Sequence, residues 1–357
     1  MKTLSCVCAA IAMAAVSTAT VHASVMKGSG EFRVNAQTAG SQEVPRIATT
    51  PDGFVVVWSG AYLDGDGYGS AGRFFNDRGV PAGGDFQVNE WTTGYQAMPS
   101  VAADAEGDFL VAWHYEGKGD DFGVFGRTFD PKAASASAEF EVNAWTTSAQ
   151  FSPSVAGSSS GGFVAVWSSL DQDGSGTGIF GRLVDSTGAP VGGEFQVNTW
   201  TTGFQSAPRV AMDEAGDFVV VWQSLLQDGY GYGVYARSFD STGAPTSPET
   251  RVSSFALADD MLPAIGMNRD GEFIVAWQRS ESSGMGTDIF AKRFDSAGVA
   301  SDPEFQVNTY TTGFQSAPSV GIDPFGAFMV AWEDASQDGD GEGVFGRLYD
   351  AGGLPAD

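Results

Sequence analysis

Residues 217–224 read DFVVVWQS, and an apolar run of this kind ending in tryptophan returns along the whole chain. FVVVW ends at Trp58, FLVAW at Trp113, FVAVW at Trp167, FVVVW at Trp222, FIVAW at Trp277 and FMVAW at Trp332, at spacings of 55, 54, 55, 55 and 55 residues. Self-similarity at a fixed period of this size marks a repeat architecture. A proline keeps step with it, as Pro45, Pro99, Pro153, Pro208, Pro263 and Pro318. The chain is thus six copies of one unit, with no change of composition to mark a second domain.

Each unit reads as four short strands. In the fourth copy, PRVAMD (208–213) carries small side chains. DFVVVWQS is continuously apolar, as a strand covered on both faces must be. GVYARSFD (233–240) follows an acidic glycine turn, and ETRVSS (249–254) is a weak fourth strand that is plain elsewhere as EFQVN (194–198 and 304–308). The stretches DEAGD, DGYGYG and STGAP between them are turn formers. Four strands per unit and four to eight units define a β-propeller; no unit has the 3.6-residue period of a helical solenoid. The expectation is an all-β fold, a six-bladed β-propeller of four-stranded antiparallel blades forming a single domain over residues 24–357.

The chain ends bear on closure. EFRVN (31–35) is a fourth-type strand with no unit before it, and the last unit stops after GVFGRLYD (343–350) without a fourth strand. Pairing the two would complete the last blade and hide both sheet edges. The six tryptophans end the second strands, where blade faces meet, so they are expected to be core. Burying each is worth about 2–3 kcal/mol.

The repeat EFQVNTYTTGFQSAPSV…GDFVVVWQS…QDGDG resembles one found in uncharacterised secreted and surface proteins of environmental bacteria, often in tandem arrays. The resemblance covers residues 31–350. It implies the β-propeller fold and an extracellular setting, and it implies no particular activity.

Residues 1–23 read as a signal peptide: Lys2, an alanine-rich apolar run from Leu4 to Val16, then VHA with small residues flanking a cleavage site. Its removal takes Cys6, Cys8 and His22, leaving His114 as the single histidine and no thiol. Cysteine nucleophiles and Cys/His zinc sites are thereby excluded. The 357-residue sequence has a net charge of −26. That surface repels phosphate backbones and anionic membranes, so nucleic acid and membrane insertion are not expected, and the protein reads as a secreted (extracellular or periplasmic) monomer.

Propeller connectivity places the loops that cross from the fourth strand to the next first strand on one face with the acidic loops, where ligand sites commonly lie. The crossing loops carry Trp91, Trp145, Trp200, Phe255 and Tyr310. Flat rings beside carboxylates suit sugar recognition; equally, a ring at a fixed place in each unit can plug the seam between blades. The acidic loops, such as SQDGDGEG (336–343), begin like a calcium loop, and Asp64, Asp66, Asp338 and Asp340 form the two complete acid pairs. The later ligand positions fail, however. An EF-hand needs Glu at position 12, where Tyr349 stands, and the integrin-type variant needs an acid at position 9, where Gly346 stands. An Asp that bonds its own turn explains the rest without metal. Calcium is therefore an option at two loops, and no other cofactor is called for.

Two non-repeating residues follow the strand tryptophans, His114 and Glu333, where the other units have Ser59, Ser168, Gln223 and Gln278. They join the aromatic residues as candidate ligand-binding groups. The recurring Arg73, Arg127, Arg182, Arg237, Lys292 and Arg347 are expected to form structural ion pairs. The leading functional reading is a binding or adhesion module for an extracellular glycan or protein, with calcium assistance as an option. The alternatives are a scaffold without a small ligand, and a polysaccharide hydrolase or lyase using carboxylates such as Glu333 and Asp340.

Overall fold

The computed structural model describes residues 32–116, 122–131, 133, 135–254, 257–280, 286–339 and 341–356. Residues 1–23, expected to be a signal peptide, lie outside them, as do Phe255 and Asp340. The described residues form 23 strands and no helix, so none contains a helix long and apolar enough to cross a membrane.

The strands group by repeat. Residues 42–87, 95–141, 150–196, 205–251, 260–306 and 315–349 form units 1 to 6, and within each the strands pair antiparallel in sequence order. In unit 4 the strands span Gln205–Met212, Phe218–Leu225, Tyr232–Phe239 and Thr250–Arg251, close to the boundaries read from sequence. The fourth strands are mostly two-residue ladders; only Pro190–Gln196 is longer. Units 3, 4 and 5 are separate four-stranded sheets, and unit 6 has three strands. Units 1 and 2 count as one sheet only because Tyr68 and Tyr95 share a parallel bridge, a link repeated at Thr177–Phe204 and Thr287–Phe314. The first strand of each unit packs against the first strand of the next, so these six line the inside.

Between units lie the cores. Trp58, Trp113, Trp167, Trp222, Trp277 and Trp332 are all buried, as their position predicts. One core joins Val55 and Val57 of unit 1 to Phe109 and Trp113 of unit 2, and the pattern repeats along the chain.

The recurring cations differ from expectation. Each reaches back to the preceding unit and donates to the carbonyl of its fourth-strand valine: Arg127 to Val88, Arg182 to Val142, Arg237 to Val197, Lys292 to Val252 and Arg347 to Val307, at 2.9–3.2 Å. Ion pairs within this set are confined, among the described residues, to Arg73–Asp85 at 3.8 Å and Arg127–Glu90 at 2.8 Å. A carbonyl near the end of a two-residue ladder needs a donor, and a long cation supplies one.

The expected closing ladder is not formed. Residues 32–35 are not in a strand and do not pair with Gly343–Tyr349. Instead they lie on unit 1, where Arg73 donates to the Val34 carbonyl at 3.0 Å and Phe32 packs on Phe75 at 5.4 Å. Without a neighbour, unit 6 is uncovered on its far face: Val344 is 47 % exposed, while Val124 and Val234 at the same position are fully buried.

Candidate ligand-binding face

The first strand of each unit is bent near its start. The residue before the recurring proline has a positive φ, at Val44, Met98, Ser152, Ala207, Leu262 and Ala317, and the register shifts there in units 1 to 6. Proline has no N–H to give a ladder and disfavours the α region before it, so the strand accommodates it with a bulge. The freed amides find side chains across the unit boundary: Met98 N–H donates to Ser59 Oγ at 3.0 Å, and Leu262 N–H to Gln223 Oε1 at 2.8 Å. In units 1 and 4 the position after the tryptophan thus serves the next unit.

The asparagine of the EFQVN stretch organises the crossing loop. Asn89 Oδ1 accepts the Ser70 amide at 2.9 Å, while its Nδ2 donates to Asp64 at 2.6 Å and to the Trp91 carbonyl at 2.8 Å. Asn143, Asn198 and Asn308 hold Trp145, Trp200 and Tyr310 in the same way. Sequence reading missed a second anchor, the acid opening each fourth strand. Asp85 accepts the Ala36 and Gln37 amides at 2.7 and 3.0 Å, Glu139 those of Glu90 and Trp91 at 2.9 and 3.2 Å, and Glu194 and Glu249 bind the Trp145 and Trp200 amides at 3.1 and 3.3 Å. The signal was present as the repeated D/E-F pair, read only as strand.

Held this way, the rings face outward. Trp91, Trp145 and Trp200 are 45, 39 and 39 % exposed, and Tyr310 is half-buried. They are not plugs in the seams. Tyr95, Phe204 and Phe314, four residues further along three of these loops, are exposed as well.

The acidic loops meet the crossing loops, as connectivity requires. Gly94 N–H donates to Asp66 Oδ2 at 3.4 Å, and Tyr232 N–H to Asp259 at 2.7 Å. The contact explains one glycine: at Gly67, with φ of 54°, a Cβ would stand 2.1 Å from the Gly94 carbonyl oxygen. In units 1, 3 and 4 the first acid of the loop is engaged locally. Asp64 accepts the Asp66 amide at 3.4 Å, Asp173 the Ser175 amide at 3.2 Å and Asp228 the Tyr230 amide at 3.0 Å. Among the described residues, no three Asp, Glu, His or Cys side chains gather as metal ligands. Asp64 and Asp66 stand on unit 1 and Asp338 on unit 6.

His114 and Glu333 are buried, at 7 and 8 % exposure, on the second strands of units 2 and 6. Burial pushes the His114 pKa from 6.5 down to about 4, so its ring is neutral at pH 7. It stacks on Tyr95 at 5.9 Å and meets Phe122 edge-on at 5.7 Å.

No family model and no curated protein sequence matches the chain. Solved structures do. A protein of unknown function from Dyadobacter fermentans is 11% identical with a TM-score of 0.57, over 88% of this chain and 96% of its own. An α-L-arabinanase from Penicillium chrysogenum is 14% identical with a TM-score of 0.54, over 88% and 94%. An α-L-arabinofuranosidase from Fusarium graminearum is 11% identical with a TM-score of 0.52, over 88% and 94%. These define the class: an all-β, propeller-like protein of several antiparallel sheets. At such identities the likeness concerns the fold alone.

Proposed function

We propose that the protein recognises an extracellular glycan at its loop-bearing face. The observation that carries the reading is the outward exposure of Trp91, Trp145 and Trp200, each clamped through its backbone by an Asn and an acid from different units. Aromatic faces bury sugar C–H surface, nearby carboxylates accept hydroxyl hydrogens, and a rigid frame lowers the entropic cost of binding. Trp91→Ala, Trp145→Ala and Trp200→Ala should each weaken retention on a glycan array by about fivefold to thirtyfold, or about 1–2 kcal/mol, with unfolding curves unchanged. Equal retention by the triple variant would overturn the reading. Running the array with and without calcium tests the acid pairs Asp64/Asp66 and Asp338/Asp340 at the same time.

A second reading, cleavage of the glycan, is favoured by the comparisons, because two neighbours in fold are named as an arabinanase and an arabinofuranosidase. Glycosidase chemistry needs two carboxyl groups about 5–9.5 Å apart, and Glu333, beside the inner strands, is the group to replace first. Release of reducing ends from arabinan or another polysaccharide, lost in Glu333→Gln, would establish cleavage over binding.

The secreted setting and a closed six-bladed ring belong to the same proposal. Supporting closure, Arg73 binds Val34 as the other recurring cations bind the valines of preceding units, so residues 32–35 already occupy the place of a fourth strand before unit 1. By the register of the other units (Phe290 opposite Gln306, Ala291 opposite Phe305), Arg33 would lie opposite Phe345. In the chain lacking residues 1–23, Arg33→Cys with Phe345→Cys should oxidise to an intramolecular disulfide, seen by mass spectrometry. Free thiols or only intermolecular dimers would refute closure.

A further inference from the structure

Four rings stand in a row at the junction of units 1 and 2. Tyr68 opens the third strand of unit 1 and Tyr95 the first strand of unit 2, and their ring centroids are 4.9 Å apart. Tyr95 stacks on His114 at 5.9 Å, and His114 meets Phe122 edge-on at 5.7 Å. The row is anchored at its Tyr68 end. There the hydroxyl donates to Glu43 Oε1 at 2.7 Å, and the parallel bridge between Tyr68 and Tyr95 ties the two backbones together. Tyr95 and Met98 are each 37 % exposed, so solvent reaches the row. Tyr95 follows Trp91 by four residues, which puts it beside the loop aromatics.

The charges here have one sign. Glu116 stands opposite Tyr95 in the ladder between the first two strands of unit 2. Among the described residues neither Glu43 nor Glu116 forms an ion pair, and His114 is neutral at pH 7. The hydrogen bond from Glu43 is the main cause that raises the Tyr68 pKa; for Tyr95 burial comes first and the Glu43 charge second. The repeat does not ask for this set. Two residues before the recurring proline, the place of Glu43 is taken by Ala97, Phe151, Ser206, Met261 and Ser316. Four residues before it, the place of Tyr95 is taken by Ser41, Ala149, Phe204, Asp259 and Phe314.

A half-buried carboxylate beside phenol rings, with no cation of the chain's own, suits a protonated amine. The carboxylate accepts a charge-assisted hydrogen bond, and ring faces attract the ammonium group. Anions are repelled by the same acids. A hard divalent ion takes six or more oxygen ligands, and among the described residues no three acidic side chains gather. We propose that Glu43, Tyr68 and Tyr95 form a subsite for a protonated amine, and that the glycan taken by this protein carries amino groups, as glucosamine polymers do. The inference rests on the glycan reading above: the loop tryptophans stack on sugar faces while Glu43 selects the charge.

The test is calorimetric titration of the purified protein with a glucosamine tetramer, its fully N-acetylated counterpart and a lysine tetrapeptide. The acetylated sugar has the same skeleton without the charge, and should bind at least about tenfold more weakly. Glu43→Gln and Tyr95→Ala should each weaken the amino sugar about tenfold, with unfolding curves unchanged; unit 3 already carries alanine at the second position. Asp52→Asn removes the same charge from an exposed turn at the other end of the first strand of unit 1, and should leave the affinity as it is. Equal losses in Glu43→Gln and Asp52→Asn would reduce the effect to the net charge of −26 and overturn the subsite. Equal binding of the two sugars would overturn the charge inference and leave glycan recognition standing. Binding of the lysine peptide as tight as that of the amino sugar, and lost in Glu43→Gln, would overturn the sugar assignment. Failure of both sugars, with some glycan still retained on the array, would overturn the amino-sugar inference alone; an array without any retained glycan would remove the glycan reading too.

Discussion

Replacing Arg279 by alanine should destabilise the protein by about 3–5 kcal/mol, the largest effect expected of any polar substitution. The junction of units 4 and 5 departs from the others at three places: Ser253 stands where others have the organising asparagine, Asp260 where they have a glutamine, and Arg279 where Ser224 and Ser169 stand in units 4 and 3. The structure shows the three as one exchange. Arg279 Nε and Nη2 donate to both oxygens of the fully buried Asp260 at 2.6 and 3.1 Å, and Nη1 donates to Glu304 at 2.7 Å. Asp260 also accepts the Trp277 indole N–H at 3.1 Å, and the guanidinium lies 4.3 Å from the Phe290 ring centroid. Burial drives the Asp260 pKa up, against the pull of Arg279. For Glu304 burial acts the same way but is outweighed by Arg279 and the Ser254 amide, which hold it below the usual range.

Removing the cation strands a carboxylate with no solvent. Replacing the whole set with the neutral arrangement of the other units does not. The triple variant Ser253→Asn, Asp260→Gln, Arg279→Ser should therefore recover the loss and match or exceed the parent, since exchanging a buried ion pair for well-packed neutral groups is commonly neutral or stabilising. Urea denaturation of the parent, the single variant and the triple variant decides it. A single variant within about 0.5 kcal/mol of the parent would mean that the cluster is solvated and contributes little.

The architecture was legible because the repeat carried it six times over. An apolar run fixed by Trp222 and its five counterparts, with turn residues at constant offsets, leaves one reading of period and strand count, and the buried tryptophans agree with it. Closure was not legible in the same way, because a chain end has no second copy to compare; residues 32–35 meet unit 1 and leave unit 6 open. The loop aromatics were identified, but their direction was not. Whether Trp145 plugs a seam or faces solvent depends on Asn143 and Glu194 holding its backbone from two different units, a contact across about 50 residues that no local pattern reports. The recurring arginines were correctly read as structural and wrongly paired, since a carbonyl partner leaves no mark in sequence. The largest expected effects lie at departures from the repeat: Arg279 and His114 each stand where the other units carry something else.

His114 gives the second large effect, and it is one of pH. Its pKa is about 6.5 when the chain is unfolded and about 4 when folded, because burial against Tyr95 and Phe122 disfavours the charged ring. A histidine depressed in the folded state binds its proton first in the unfolded chain. Its neutral form therefore costs nothing above pH 7, and each step of acidification from pH 6.5 towards 4 draws the equilibrium towards unfolding. A shift of this size corresponds to about 3 kcal/mol of lost stability at pH 4. Glutamine occupies the same position in units 4 and 5, as Gln223 and Gln278, so His114→Gln is a substitution that the repeat already accepts. The variant should have nearly the stability of the parent at pH 7.5 and exceed it by about 2–3 kcal/mol at pH 4, with the difference opening below pH 6.5. Carboxylates titrating in the same range act on both proteins and cancel in the comparison. Parallel acid-denaturation curves for the two proteins, with no divergence between pH 6.5 and 4, would show that the ring is protonated within the fold and that the pocket between Tyr95 and Phe122 admits water.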